Sequence, residues 1–231
     1  QAQPAPHLMQ IDGADAPRCA IGAALKTRRR KTMSITYTNR KGRKYYLCQG
    51  VTKTGKPRYY FSREQKGEPV DEIPDGFEIT ESVNGIVSLS RIRPKLLLES
   101  EIELVESALE KHPETRRYRL DVKSNVITIY EQVGPDFQDL AMKFREMFGL
   151  SSAMTDDFRQ AIEKEQKVYT QYTPIMKFIL SDEEKRLFRA QRMCYLGSID
   201  DWIDIEYNET IGELANTLIP TLGTDEFFEL H

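Results

Sequence analysis

The strongest constraint on the fold is a dense series of turn signals set between strand-forming runs over residues 35–93. Ile35–Thr38, Lys44–Gln49 and Arg58–Arg63 are rich in Tyr, Thr and Phe, and the turns Asn39–Gly42 and Thr52–Lys56 separate them. Gly and Asn at such turns supply positive φ, while aromatic and β-branched residues favour a pleated surface. After Pro69 and Pro74 the pattern returns as Phe77–Thr80, Asn84-Gly85 and Ile86–Ile92. Asn-Gly between β-prone runs is the strongest short-range hairpin signal. Up to Arg93 the signals are all β.

Beyond Pro94 the periods alternate. Ser100 opens an expected helix with Glu103 three residues on, and Ile102, Val105 and Leu109 recur at helical spacing until Pro113. Tyr118–Val122 and Val126–Glu131 form a hairpin, followed by expected helices at Asp136–Phe148 and Thr155–Val168. Strands are expected at Ile175–Leu180, Arg186–Leu196 and Trp202–Tyr207, then a second capping box at Thr210 and Glu213, and a short helix at Asp225–Leu230. The expected class is α+β, an antiparallel hairpin meander with three to five helices. Residues 33–98 form a basic β-rich region and 99–231 an acidic α+β region, packed as one or two domains. Residues 1–32 are rich in Ala, Pro and Gly, without periodicity, and read as a disordered leader. Two origins stay open for it, a native leader or sequence upstream of the natural start.

Charge supplies the main functional lead. Between Ala16 and Arg63 there are fourteen Lys and Arg residues and no Asp or Glu, in a chain with 33 basic and 36 acidic residues. Six of the fourteen precede Met33. Residues 1–98 carry net +9 and residues 99–231 net −12. Strand alternation places Tyr45 and Leu47 on one face, with Tyr59 and Phe61, and leaves Lys44, Tyr46, Arg58 and Tyr60 on the other. Lys53 and Lys56 sit in the adjoining loop and Arg43 in the preceding turn. Cations neutralise phosphates and flat rings stack on bases, so Arg43, Lys44, Tyr46, Lys53, Lys56, Arg58 and Tyr60 are the candidate nucleic-acid-binding residues. A plainer reading competes with this one: tyrosines are good strand formers, and lysines at sheet edges deter unwanted pairing.

Asp200, Asp201, Asp204 and Glu206 cluster around the single Trp202. Grouped carboxylates can hold Mg²⁺ for phosphoryl chemistry, but Asp204 and Glu206 alternate with Ile203 and Ile205 as on a half-buried strand with a wet face. Cys19, Cys48 and Cys194 are far apart with no C-x-x-C, so the thiols are expected to be reduced and the protein cytoplasmic. No metal, no cofactor and no membrane partner is expected, since no apolar run approaches the ~20 residues that span a bilayer. Nor does the sequence contain G-x-S-x-G, G-x-G-x-x-G or a phosphate-binding P-loop motif. The leading expectation is a non-enzymatic protein whose basic meander binds nucleic acid or another polyanion. The alternatives are a protein–protein or self-association module, and a Mg²⁺-dependent enzyme using Asp200, Asp201 and Asp204.

From Met33 onward the chain resembles a group of bacterial open reading frames without an assigned function. The resemblance rests on Tyr37–Leu47 (Y-T-N-R-K-G-R-K-Y-Y-L), Lys53–Ser62 (K-T-G-K-P-R-Y-Y-F-S), Ile73–Ile79 (I-P-D-G-F-E-I) and Leu196–Ile205 (L-G-S-I-D-D-W-I-D-I). It implies a bacterial source and no particular activity, cofactor or site residue.

Overall fold

The computed structural model describes residues 34–134, 142–143, 146–147, 160–161, 164, 166, 168–195 and 200–230. All belong to the unit that runs from Thr32 to His231. The first sheet is a meander of β1 (Thr36–Thr38), β2 (Lys44–Val51) and β3 (Pro57–Ser62). The two-residue β4 (Glu68–Pro69) pairs with β2 on the edge that β1 also uses. A separate hairpin, β5 (Phe77–Glu81) and β6 (Val87–Arg91), follows, with Asn84-Gly85 in its turn.

The largest sheet has five antiparallel strands: β7 (Tyr118–Lys123), β8 (Val126–Val133), β9 (Gln171–Asp182), β10 (Leu187–Tyr195) and β11 (Asp200–Glu209). They lie in chain order, so each strand pairs with its sequence neighbour. Alternation gives this sheet one apolar face. Ile127 opposes Phe178, which opposes Ala190, and Ile129 opposes Met176; all five are fully buried. Against them pack Val105 and Leu109 of α1 (Glu99–Glu110) and Ile211, Leu214 and Leu218 of α2 (Ile211–Leu218). A short α3 (Asp225–Glu229) adds Phe227.

The expectation of an α+β class is corrected by this arrangement. Among the described residues strands take 44%, in three sheets, and three α-helices have defined bounds. The physical reason is the length and pairing of the late strands. The segments expected at 175–180 and 202–207 lengthen to strands of twelve and ten residues, while the one expected at 186–196 forms a strand of nine. Edge to edge with β7 and β8 they complete one sheet, and the helices serve as its cover. The expected helices Asp136–Phe148 and Thr155–Val168 fall mostly outside the described residues; those described within them, such as Met142, Lys143, Ala161 and Lys164, are helical. The leader 1–32 lies outside the described residues.

One helix start also differs. α1 begins at Glu99, and Glu101 in place of Glu103 accepts the Leu98 N–H at 2.9 Å. Glu101 is held there by Arg186 of the β9–β10 turn, whose Nε donates to it at 2.9 Å. The second box forms as expected: Thr210 Oγ1 accepts the Glu213 N–H at 3.4 Å, and Thr210 N–H donates to Glu213 Oε2 at 3.1 Å.

Three hydrogen bonds tie the N-terminal turns to β9 and to Thr170 just before it, and a fourth joins two of those turns to each other. Asn84 exchanges two hydrogen bonds of 2.8 Å with the backbone of Tyr172, as a neighbouring strand residue would. Lys41 Nζ donates to Thr170 O at 2.7 Å, and Asn39 Nδ2 donates to Gly85 O at 2.6 Å. Gly85 is required at that crossing. Its φ is +78°, and a Cβ there would stand 3.0 Å from Asn39 Nδ2.

Candidate nucleic-acid interface

The β2–β3 hairpin carries most of the candidate residues. Its register sets Tyr46 opposite Ser62, Cys48 opposite Tyr60, and Gly50 opposite Arg58. Directly opposed residues of an antiparallel pair point to the same side. One face therefore holds Lys44, Tyr46, Cys48, Arg58 and Tyr60, and the other Tyr45, Leu47, Tyr59 and Phe61. Leu47 is fully buried on its face, but so is Cys48 on the face expected to be open.

The cover over Cys48 comes from residues 64–69. Tyr60 Oη donates to Lys66 O at 2.7 Å, which holds the ring down across the strand pair. A Cβ on Gly67 would stand 2.8 Å from that hydroxyl and 2.9 Å from Gln49 O, so the segment passes close over both. Burial beneath it pushes the Cys48 thiol pKa up. The basic, aromatic face is thus divided. At one end Lys44 is exposed with its Nζ 5.5 Å from the centre of the half-buried Tyr46 ring. At the other end, about 20 Å along the strand by the usual rise per residue, Lys53, Lys56 and Arg58 are exposed. Tyr60 lies between them and is engaged by Lys66.

The turn before β2 contributes less positive charge than its sequence suggests. Arg40 Nε pairs with Glu81 at 2.9 Å. Lys41 is buried, and its pKa is lowered first by that burial and then by Arg43 and Arg40. Arg43 is half-buried, with its backbone N–H donating to Asn39 Oδ1 at 2.8 Å. By contrast, Lys53, Lys56 and Arg58 take part in no ion pair among the described residues.

The carboxylates near Trp202 are arranged for packing. Asp201 Oδ1 accepts the Trp202 N–H at 2.8 Å, and Asp204 Oδ1 accepts from Gln191 Nε2 at 2.8 Å with Arg189 3.7 Å away. Lys177 Nζ sits 3.9 Å from the Trp202 ring centre, its pKa lowered first by burial and then by Arg189. Among the described residues no group of three or more His, Cys, Asp or Glu is placed to hold a metal ion. Cys48 and Cys194 are free thiols, and among the described residues no helix is long and apolar enough to cross a membrane.

Sequence reasoning missed the cover over Cys48 and the division it makes. Gly67 with Pro69 was the available signal, since a Gly-Xaa-Pro step beside a strand marks a close approach or an edge. No protein-family model matches the chain, and no curated protein or solved structure matches it.

Proposed function

We propose that this is a non-enzymatic nucleic-acid-binding protein acting through the basic hairpin β2–β3, in a reducing compartment such as the cytoplasm. The observation that carries the reading is a set of exposed cations, Lys44, Lys53, Lys56 and Arg58, none of them ion-paired among the described residues. No acidic residue occurs between Ser34 and Arg63 to offset them. An unpaired surface cation gains most from a phosphate, because counterions are released when the two meet. The free thiols of Cys48 and Cys194 suit the proposed compartment. Arg43, Tyr46 and Tyr60 belong to this reading as flanking residues, with Tyr46 the ring best placed for a base.

The test is a titration of labelled DNA and RNA into the full chain at low salt, followed across a salt series. Binding that weakens linearly in log salt, with a slope reduced by about one in Arg58→Ala, is the expected result. Absence of binding to either nucleic acid at low salt rules the reading out.

A second reading is favoured by one observation. Residues 200–230 contain nine Asp and Glu and no Lys or Arg. None of the ion pairs among the described residues joins this set to the cations of residues 34–66. Self-association between the two surfaces would satisfy both.

A further inference from the structure

The tip of the β2–β3 hairpin is largely exposed, with Thr52 half-buried within it. Val51, Lys53, Thr54, Gly55, Lys56, Pro57 and Arg58 are all exposed, Val51 by 72%. Beyond the Cys48–Tyr60 pair the arm extends about 15 Å at the usual rise per residue. An unpacked hairpin of this length ordinarily frays, yet this one is closed tightly at its tip. Thr52 N–H donates to Lys56 O and Gly55 N–H to Thr52 O, both at 2.9 Å. Thr52 Oγ1 also receives the Lys56 N–H at 3.1 Å. An exposed tip closed by its own hydrogen bonds has part of its ordering cost met before any ligand arrives.

Resting on the nucleic-acid reading above, we propose that this arm enters the major groove of double-helical DNA. A two-stranded ribbon with strands ~4.8 Å apart fits a groove ~12 Å wide and ~8.5 Å deep. Lys53, Lys56 and Arg58 flank the ribbon where they reach phosphates or guanine edges. Arg58 lies opposite Gly50, so no side chain of β2 crowds it on that face.

The same geometry disfavours the other nucleic acids. A single-strand platform needs rings on which successive bases stack. Residues 50–58 contain none, and the nearest ring on the cationic face, Tyr60, is held by Lys66 O. The deep, narrow major groove of double-stranded RNA does not admit side chains, still less a ribbon.

The experiment is fluorescence anisotropy on the full chain with four probes: a 20-base-pair DNA duplex, its single strand, the matching RNA duplex, and the DNA duplex methylated at guanine N7. The expected result is binding to DNA duplex about tenfold or more tighter than to the single strand or RNA duplex, and weakened by N7 methylation. Lys53→Ala and Arg58→Ala should each weaken duplex binding roughly three- to tenfold while leaving the thermal transition unchanged. Equal affinity for single strand or RNA, indifference to N7 methylation, or wild-type affinity in both variants overturns the groove assignment while leaving nucleic-acid binding intact. Binding to no probe overturns both.

Discussion

Tyr118 is the side chain whose surroundings are hardest to reconcile with its chemistry. It opens β7 with 2% of its surface exposed, and its hydroxyl has no hydrogen-bond partner among the described residues. The His112 ring meets it edge to face with centres 5.0 Å apart. That histidine cannot help, because its Nδ1 accepts the Glu114 N–H at 3.1 Å and its Nε2 donates to Leu222 O at 3.1 Å. Burial first, and then the charge of Glu131, pushes the Tyr118 pKa up to about 12. A raised phenol pKa means the folded state keeps its proton after the unfolded state has released it. The associated stability is therefore present in full below about pH 10 and is lost as pH rises through about 12. The shift corresponds to about 2–3 kcal/mol. Urea unfolding between pH 9 and 12 should show wild type losing about that much more than Tyr118→Phe. At pH 7 the variant should be equal to wild type or more stable by up to ~1 kcal/mol, since an unpaired buried hydroxyl is removed. Parallel pH profiles for the two proteins would refute this account.

At the scale of elements, what sequence made legible was local. Asn84-Gly85 turns the β5–β6 hairpin, and Thr210 with Glu213 caps α2, because each signal is completed within a few residues. The pairing of β8 with β9 was not legible. It brings Val133 opposite Gln171, and no local pattern encodes which distant strand becomes a neighbour. The α1 cap moved for the same reason, since its determinant, Arg186, lies 85 residues from Glu101. Among the candidate site residues, alternation assigned the faces of β2 and β3, but the cover over Cys48 and Tyr60 depends on where residues 64–69 fold back. Glu101 concentrates these long-range dependences. It accepts from the Leu98 N–H, from Arg186 Nε at 2.9 Å and from Arg186 Nη2 at 2.5 Å. Glu101→Ala removes all three hydrogen bonds and leaves a partly buried guanidinium without its carboxylate. Allowing for the partial exposure of Arg186, the cost should be about 2–3 kcal/mol by urea titration, with Glu101→Gln retaining roughly half of the lost stability. A cost below ~0.5 kcal/mol would show that the α1 start is fixed by packing alone.

For the whole molecule the decisive property is the segregation of charge along the chain. Lys53, Lys56 and Arg58 make no ion pair among the described residues, while residues 200–230 gather nine carboxylates and no Lys or Arg. Crowding among the latter already shows at the β11–α2 junction, where Glu213 above all, through its charge and a shared hydrogen bond, raises the Glu209 pKa. A second copy offering its arm would relieve that crowding and neutralise its own cations. Two copies can offer their arms to each other reciprocally and close as a dimer, or singly, leaving one of each patch free for further copies. Sedimentation velocity should then show average mass rising steadily with protein concentration at about 20 mM salt. The rise should vanish by about 300 mM, where the Debye length falls to ~6 Å. Lys53→Ala with Arg58→Ala should abolish it at low salt. Added DNA duplex should also abolish it, because both ligands require the same arm. Association that survives high salt, or that persists unchanged in the arm variant, would place the contact elsewhere on the molecule and separate it from the charge pattern.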